Sequence, residues 1–291
     1  MYPNSELILN ADGSIYHLHL KPEHVAPLVL TVGDPERVGE VSKHFDKIES
    51  RTAHREFVAH TGELRGQRVM CLSTGIGTDN IDIVLTELDA LVNIDLQKRE
   101  PKAELTALNI VRIGTSGSIQ EAVGVDSFVV SAFGAGLDNL MHFYEATQTG
   151  DEMMLADGLV DYLEKTNQDL MLLPYVFSAD KKLLESFDNQ HFTQGVTVTA
   201  PGFYAPQGRI LRGRVAEPKL LSSLNKFTHR RVTLTNFDME TAGIYGMARL
   251  LGHRAVSVSA ILANRITNEF SQQPDKTVER LIETTLNILM P

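Results

Sequence analysis

The segment Asn236-Phe237-Asp238-Met239-Glu240 sets two carboxylates two residues apart, directly ahead of the helical run Thr-Ala-Gly-Ile-Tyr-Gly-Met-Ala-Arg-Leu-Leu-Gly. Asp238 reads as the N-cap, which puts Glu240 in the first turn at the positive end of the helix dipole. A carboxylate fixed there accepts hydrogen bonds from two neighbouring hydroxyls of one ligand, such as the vicinal diol of a sugar. Taken alone, the pair reads better as a capping device. What shifts the balance is a set of anion-binding residue types elsewhere in the chain.

In Gly33-Asp34-Pro35-Glu36-Arg37 a glycine permits close backbone approach, and Arg37 falls one turn into a helix, so amides and a guanidinium can converge on an oxyanion, although in isolation the motif reads better as a surface arginine on an ordinary helix. In Ile110-Val111-Arg112-Ile113-Gly114-Thr115-Ser116-Gly117 an arginine sits inside an apolar strand. That is costly unless its charge is paired or meets an anion. Thr115 and the glycine-rich turn expected after it add hydroxyl and amide donors. His54-Arg55-Glu56-Phe57 is a weaker candidate that a solvated charge cluster explains equally well. The stretch 199–209 is a loop with two prolines, the aromatics Phe203 and Tyr204, and the pair Gln207 and Arg209. Gln207 offers donor and acceptor together and Arg209 a rigid fork of donors, which suits the polar edge of a pyrimidine, with Phe203 against the ring.

Other chemistries find less support. Gly75-Ile76-Gly77 begins a dinucleotide fingerprint, but Asn80 stands where its third glycine belongs. A phosphate-binding loop ending in Gly-Lys-Ser/Thr is absent, as are H-E-x-x-H and other metal-ligand spacings.

The elements that must position these residues alternate short β-rich runs with helical periodicity. This is the pattern of an α/β fold, a mixed and largely parallel sheet flanked by helices, with 1–291 read as one domain. Strands are expected at 28–32, 68–73, 109–114, 127–132, 196–199, 231–234 and 255–262. Asp34 and Pro35 start one helix. Ile81, Val84, Leu85, Leu88 and Leu91 mark the buried face of another, and 277–289 closes the chain with a third. The charged stretch 97–104 reads as an exposed insertion, while 141–192 has no clear rhythm.

With 27 Lys and Arg against 37 Asp and Glu, the net charge of −10 argues against a nucleic-acid surface. A 43% apolar composition supports a substantial core. The single cysteine, Cys71, excludes internal disulfides and lies in an apolar run where a buried thiol is expected. No signal peptide or membrane span is expected, so the reading is of a cytoplasmic protein.

In order along residues 17–265, the pieces GDPERV, HREF, STGIG, RIGTSGSIQ, FYAPQGR, NFDMETAGIYGMA and ILANR resemble the nucleoside phosphorylase superfamily, most closely its uridine phosphorylases. The resemblance implies reversible phosphorolysis of a pyrimidine nucleoside, with inorganic phosphate as co-substrate. It implies a phosphate site of Gly33, Arg37, Arg112 and Thr115, with Arg55 contributed by a neighbouring subunit. Met239 and Glu240 correspond to the ribose-binding pair, and His17 to a residue that reaches across a dimer interface to the sugar. Phe203, Gln207 and Arg209 correspond to the pyrimidine-recognition loop, Leu262 and Ala263 to the base-pocket wall, and Arg265 to a supporting arginine. Arg112, Gln207, Arg209 and Glu240 are thereby expected to carry catalysis. Relatives bind a monovalent cation, potassium, at positions matching Glu56, the Ile76 carbonyl and Asn80, where a serine is usual. Asp238 stands where a glutamate is usual. Purine-cleaving relatives carry an acid where this chain reads Ala263-Asn264-Arg265. Assembly as a homohexamer of dimers with shared sites is implied as well. Rival readings are a purine nucleoside phosphorylase, a phosphate-independent nucleosidase and a non-catalytic nucleoside-binding module.

Overall fold

The computed structural model describes residues 1–166, 173–187 and 190–291. β1 (Leu28–Val32) leads through Gly33 into α1 (Pro35–Ser42), whose cap is Asp34, its carboxylate accepting the Glu36 amide at 2.9 Å. β2 (Lys47–His54) and β3 (Phe57–Leu64) form a hairpin, followed by β4 (Gln67–Ser73) and α2 (Thr78–Asn93). The five α2 residues expected to face inward are all buried. The short pair β5 (Ile94–Asp95) and β6 (Glu100–Pro101) precedes β7 (Asn109–Ser118) and β8 (Phe128–Gly136). Next come α3 (Gly150–Lys165), β9 (Tyr175–Ser178), α4 (Lys181–Ser186) and β10 (Phe192–Thr199). α5 (Leu220–Lys226), β11 (Thr228–His229), β12 (Val232–Asp238) and α6 (Thr241–Leu250) lead to β13 (Arg254–Asn264), β14 (Glu269–Phe270) and α7 (Pro274–Leu289).

Among the described residues twelve strands form one mixed sheet in the order β11-β12-β10-β8-β13-β7-β1-β4-β3-β2, with β9 on β8 and β14 on β13. β12 also pairs with β7, so β7, β13, β8, β10 and β12 close into a ring. β1, β4, β7 and β13 run parallel, as do β8, β10 and β12. The main core packs α1, α2, α6 and α7 against the sheet, and a second cluster lies under α3 and α5.

The structure corrects several boundaries. β7 runs on through Ser118, because Gly117 and Ser118 pair with β13 on one side and β12 on the other, so Thr115 lies in a strand and not before a turn. Likewise β12 is drawn out to Asp238 by pairing with Thr199 of β10. Helix α6 therefore starts later than expected, and Glu240 rather than Asp238 occupies its N-cap position. Asp238 still accepts the Thr241 amide, at 3.0 Å. The 97–104 insertion is exposed as expected, but Arg99 at its tip binds the carbonyls of Tyr2, Pro3 and Leu7 and so fastens the N-terminal segment. Stretch 141–192 contains α3, β9 and α4; residues 167–172 and 188–189 within it lie outside the described residues.

Candidate functional site

The carboxyl ends of the parallel strands open into a cavity of about 730 Å³. Ligands of open α/β sheets bind at such strand ends. Its floor is Arg112, on β7 between β1 and β13 and only 6% exposed. The guanidinium Nη2 lies 2.5 Å from Glu240 Oε2, and Nη1 lies 3.6 Å from Asp238 Oδ2. Burial alone would weaken the cation, but Glu240 and Asp238 outweigh that and hold it charged. Asp238 is itself fixed by the hydroxyls of Thr199, at 2.7 Å, and Thr241. Glu240 accepts the Gly77 amide at 2.9 Å. Burial raises the Glu240 carboxyl above its ordinary range and Asp238 adds to the rise, while Arg112 and the Gly77 amide oppose it.

Gly33, Arg37 and Thr115 join Arg112 in lining the cavity. Burial lowers the Arg37 pKa, and the neighbouring Arg112 cation lowers it further against Asp34 and Glu40. Arg37 Nε and Arg112 Nη1 are both buried donors without a hydrogen-bond partner. Two adjacent guanidiniums with free donors at the mouth of a capped helix make a site for an anion.

The loop after β10 also lines the cavity. A single 3₁₀ turn, Ala205–Gln207, ends in Gly208 with left-handed backbone, which brings Arg209 back over Phe203. Arg209 Nη1 donates to the Phe203 carbonyl at 2.5 Å and to Gln207 Oε1 at 2.6 Å, and its guanidinium lies 3.7 Å from the Phe203 ring centre. Burial, with Arg265 nearby, brings the Arg209 pKa down to about 10. Arg265 does not line the cavity but donates to the Gln207 carbonyl at 3.1 Å. Leu262 and Ala263 line the wall from β13, and Met239 completes it beside Glu240.

Every residue expected on the phosphate, sugar and base sides is thus brought together in the lining, except that Arg265 stands behind it and His17 and Arg55 lie outside. His17 Nδ1 is 2.7 Å from Glu87 on α2. Arg55, in the β2–β3 turn, is exposed beside the Tyr16 ring. Glu56, Ile76 and Asn80 do line the cavity. Phe270 also lines it, and sequence reasoning missed it: β14 is two residues long within a polar stretch, and only its pairing with Ala263 brings it to the base wall. A cluster of His44, Glu279 and Glu283 forms away from the cavity, with Lys43 on Glu279 at 2.7 Å.

Among the described residues no helix is long and apolar enough to cross a membrane. The sequence profile of the phosphorylase superfamily matches residues 27–290. A uridine phosphorylase of Thermococcus kodakarensis is 28% identical, covering 96% of this chain and 87% of its own length. A DeoD-type purine nucleoside phosphorylase of Geobacillus stearothermophilus is 25% identical, covering 93% and 96%. The crystal structure of a Trypanosoma brucei nucleoside phosphorylase that shows uridine phosphorylase activity superposes with a TM-score of 0.87, at 27% identity, over 97% of this chain and 99% of its own. A profile match across nearly the whole sequence, on a fold shared with such enzymes and around a strand-end cavity, makes this chain a member of the phosphorylase superfamily.

Proposed function

We propose that this chain catalyses the reversible phosphorolysis of uridine to uracil and ribose 1-phosphate. The observation that carries the reading is the juxtaposition, across one cavity, of Arg37 and Arg112 with unpartnered donors and the Phe203–Gln207–Arg209 loop. In this reading phosphate lies against Gly33, Arg37, Arg112 and Thr115, and Glu240 with Met239 holds the sugar. A phosphate oxygen bonds to C1′ as the glycosidic C–N bond breaks. The electron pair leaves with the base, whose developing negative charge meets Gln207 and Arg209. No covalent enzyme intermediate is required, since orientation of a dianion and electrostatic stabilisation of the leaving group supply the catalysis.

The preference for a pyrimidine rests on the stretch Ala263-Asn264-Arg265, which holds no acid where purine-cleaving relatives carry one. Within it Asn264 is 1% exposed with both ends of its amide committed. Its Nδ2 donates to the Gln120 and Val123 carbonyls and its Oδ1 accepts the Ile266 and Thr267 amides. No acid in that stretch is available to protonate a purine.

The same reading has His17 and Arg55 serving the cavity of a second copy, within a cytoplasmic homohexamer built from dimers and with 1–291 as one domain. Their position outside the cavity of their own chain, Arg55 exposed and His17 half-buried against Glu87, supports this arrangement. Glu56, the Ile76 carbonyl and Asn80 supply hard oxygen donors of the kind a potassium ion takes, with the Asn80 amide in place of a hydroxyl. The amide and the Glu56 side chain both close on Gly75, where an added Cβ would fall 2.3 Å and 3.0 Å from them. Comparing the thermal midpoint in potassium and choline chloride tests that site.

The experiment for the activity is ultraviolet-monitored cleavage of uridine and inosine, each with and without phosphate. Phosphate-dependent loss of uridine is expected. Cleavage of inosine alone would replace the pyrimidine reading, turnover without phosphate would make the chain a nucleosidase, and no turnover would leave a nucleoside-binding module.

A further inference from the structure

Glu87 on α2 is a half-buried carboxylate that does not line the cavity. Its Oε1 accepts the His17 amide at 3.0 Å and lies 2.7 Å from the His17 ring nitrogen Nδ1. Its Oε2 accepts the Leu18 amide at 2.8 Å. Two successive amides and one ring edge of the N-terminal segment thus converge on a single side chain.

That convergence fixes the state of the ring. A carboxylate only accepts hydrogen bonds, so the hydrogen between it and the imidazole sits on His17 Nδ1. In the neutral ring this leaves Nε2 as an acceptor, because the partner of one ring nitrogen decides which proton the other carries. Among the described residues Nε2 has no hydrogen-bond partner, and the side chain is 26% exposed. His17 is held a second time through its carbonyl, which accepts from Nδ1 of His54, the last residue of β2, at 2.9 Å. His54 also stacks on His19 with ring centres 3.8 Å apart. Arg55 follows His54, and its guanidinium lies 5.7 Å from the Tyr16 ring centre. The two residues assigned to the cavity of a second copy are therefore joined in one block, and Glu87 ties that block to α2.

We propose that Glu87 is a positioning residue that holds His17 as its Nδ1–H tautomer, so that Nε2 accepts a hydrogen bond from the nucleoside 5′-hydroxyl in the cavity of a second copy. The proposal rests on the reading of His17 as serving that cavity. Glu240 takes the vicinal 2′,3′-diol in the same reading, which leaves the 5′-hydroxyl as the remaining donor on a ribose. A carboxylate that never touches the substrate still acts on its recognition through the ring it orients.

The test is steady-state kinetics of the assembled enzyme with uridine and with 5′-deoxyuridine, which lacks the hydroxyl in question. The parent, Glu87→Gln, His17→Ala and the double variant are compared by the ratio of kcat/KM for the two nucleosides. Glutamine keeps the shape of Glu87 but presents an NH2 group where a second acceptor stood, so it cannot receive all three donors. Glu87→Gln is expected to lower kcat/KM for uridine about three- to tenfold, the worth of one neutral hydrogen bond, and to leave that for 5′-deoxyuridine within about twofold. His17→Ala should remove the same selectivity, and the double variant should match His17→Ala, because both act through one ring nitrogen. Should Glu87→Gln not fold, Glu87→Asp, with its carboxylate drawn back by one methylene, carries the same readout. Equal losses on both nucleosides, or an unchanged ratio in a folded Glu87 variant, overturn the proposal. If His17→Ala removes the selectivity and the Glu87 variants do not, only the positioning role is lost. If His17→Ala leaves the ratio unchanged, the reading of His17 itself fails.

Discussion

The guanidinium of Arg112 occupies the space that a side chain on Gly114 would need. A Cβ built on Gly114 would lie 1.8 Å from Arg112 Nη1 and 2.6 Å from Cζ. On a strand the residues at i and i+2 share a face, and here the longer side chain folds back over its empty neighbour. The conformation that brings Arg112 to Glu240 and Asp238 thus depends on a missing methyl group two residues away.

Gly114→Ala should therefore displace Arg112 from the cavity floor without touching the substrate directly. A phosphate KM raised by about tenfold or more is expected, since loss of one donor to a transition-state oxyanion costs on the order of 10²–10³ in rate. Kinetics with varied phosphate checks this, and a parent-like phosphate KM would mean that Arg112 does not meet the anion.

Arg37 and Arg112 should separate in their stability effects. Arg112→Ala strands Glu240 and Asp238 as buried carboxylates, and breaking a buried pair from one side costs about 3–5 kcal/mol. Arg37 is half-buried and makes no ion pair within 4 Å among the described residues, so Arg37→Ala should cost clearly less. Both should lose phosphate-dependent turnover. Urea unfolding beside the kinetics distinguishes the two; equal destabilisation would contradict the pairing of Arg112.

Removing the ring that Arg209 lies over should weaken the base side alone. Phe203→Ala is expected to raise the uridine KM by about three- to fivefold, the worth of an exposed cation–π contact. The phosphate KM should stay put, and a matching rise in it would mean that the loop positions more than the base.

Acid should weaken the fold through Glu152. Burial would raise this carboxyl, but Arg249, Ser178 and the Thr149 and Ser178 amides together bring it down to about 2 from the usual 4.5. A carboxylate with a depressed folded pKa contributes stability above its unfolded value and loses it as pH falls, here from 4.5 towards about 2. Glu152→Gln should lower the urea midpoint near neutrality and flatten its decline through that window. A decline as steep as the parent's would place the acid sensitivity in other carboxylates.

Much of the cavity was legible because its residues announce themselves locally. Asp34-Pro35 is a start signal wherever it occurs, and a charged residue inside an apolar strand, as at Arg112, must be accounted for by a partner or a ligand. The 203–209 loop carries its chemistry in contiguous residues. What escaped notice depends on tertiary pairing. β2 alternates only between exposed and half-buried positions, and Ser50, Thr52 and His54 at the half-buried ones are polar, so its sequence lacks the apolar alternation that betrays a strand. Phe270 reaches the cavity only through two pairs with β13. Glu87 and His17 are 70 residues apart and meet because the N-terminal segment comes to rest on α2. The misplaced N-cap has the same origin, since the pull of β10 on β12 outweighed the local preference of Asp238.

The ion pair between Arg112 and Glu240 spans 128 residues of chain. During synthesis the guanidinium emerges long before the carboxylate that neutralises it, and β7 waits for β13 to take its place beside it. Such distant parallel pairings are slow to form, because the intervening chain must be ordered before they repay the cost. Until then Arg112 sits in an unfinished sheet as an uncompensated charge, which disfavours premature collapse around it. Binding competence is therefore expected to arrive only with the C-terminal segments that bring Glu240 and β13 to Arg112.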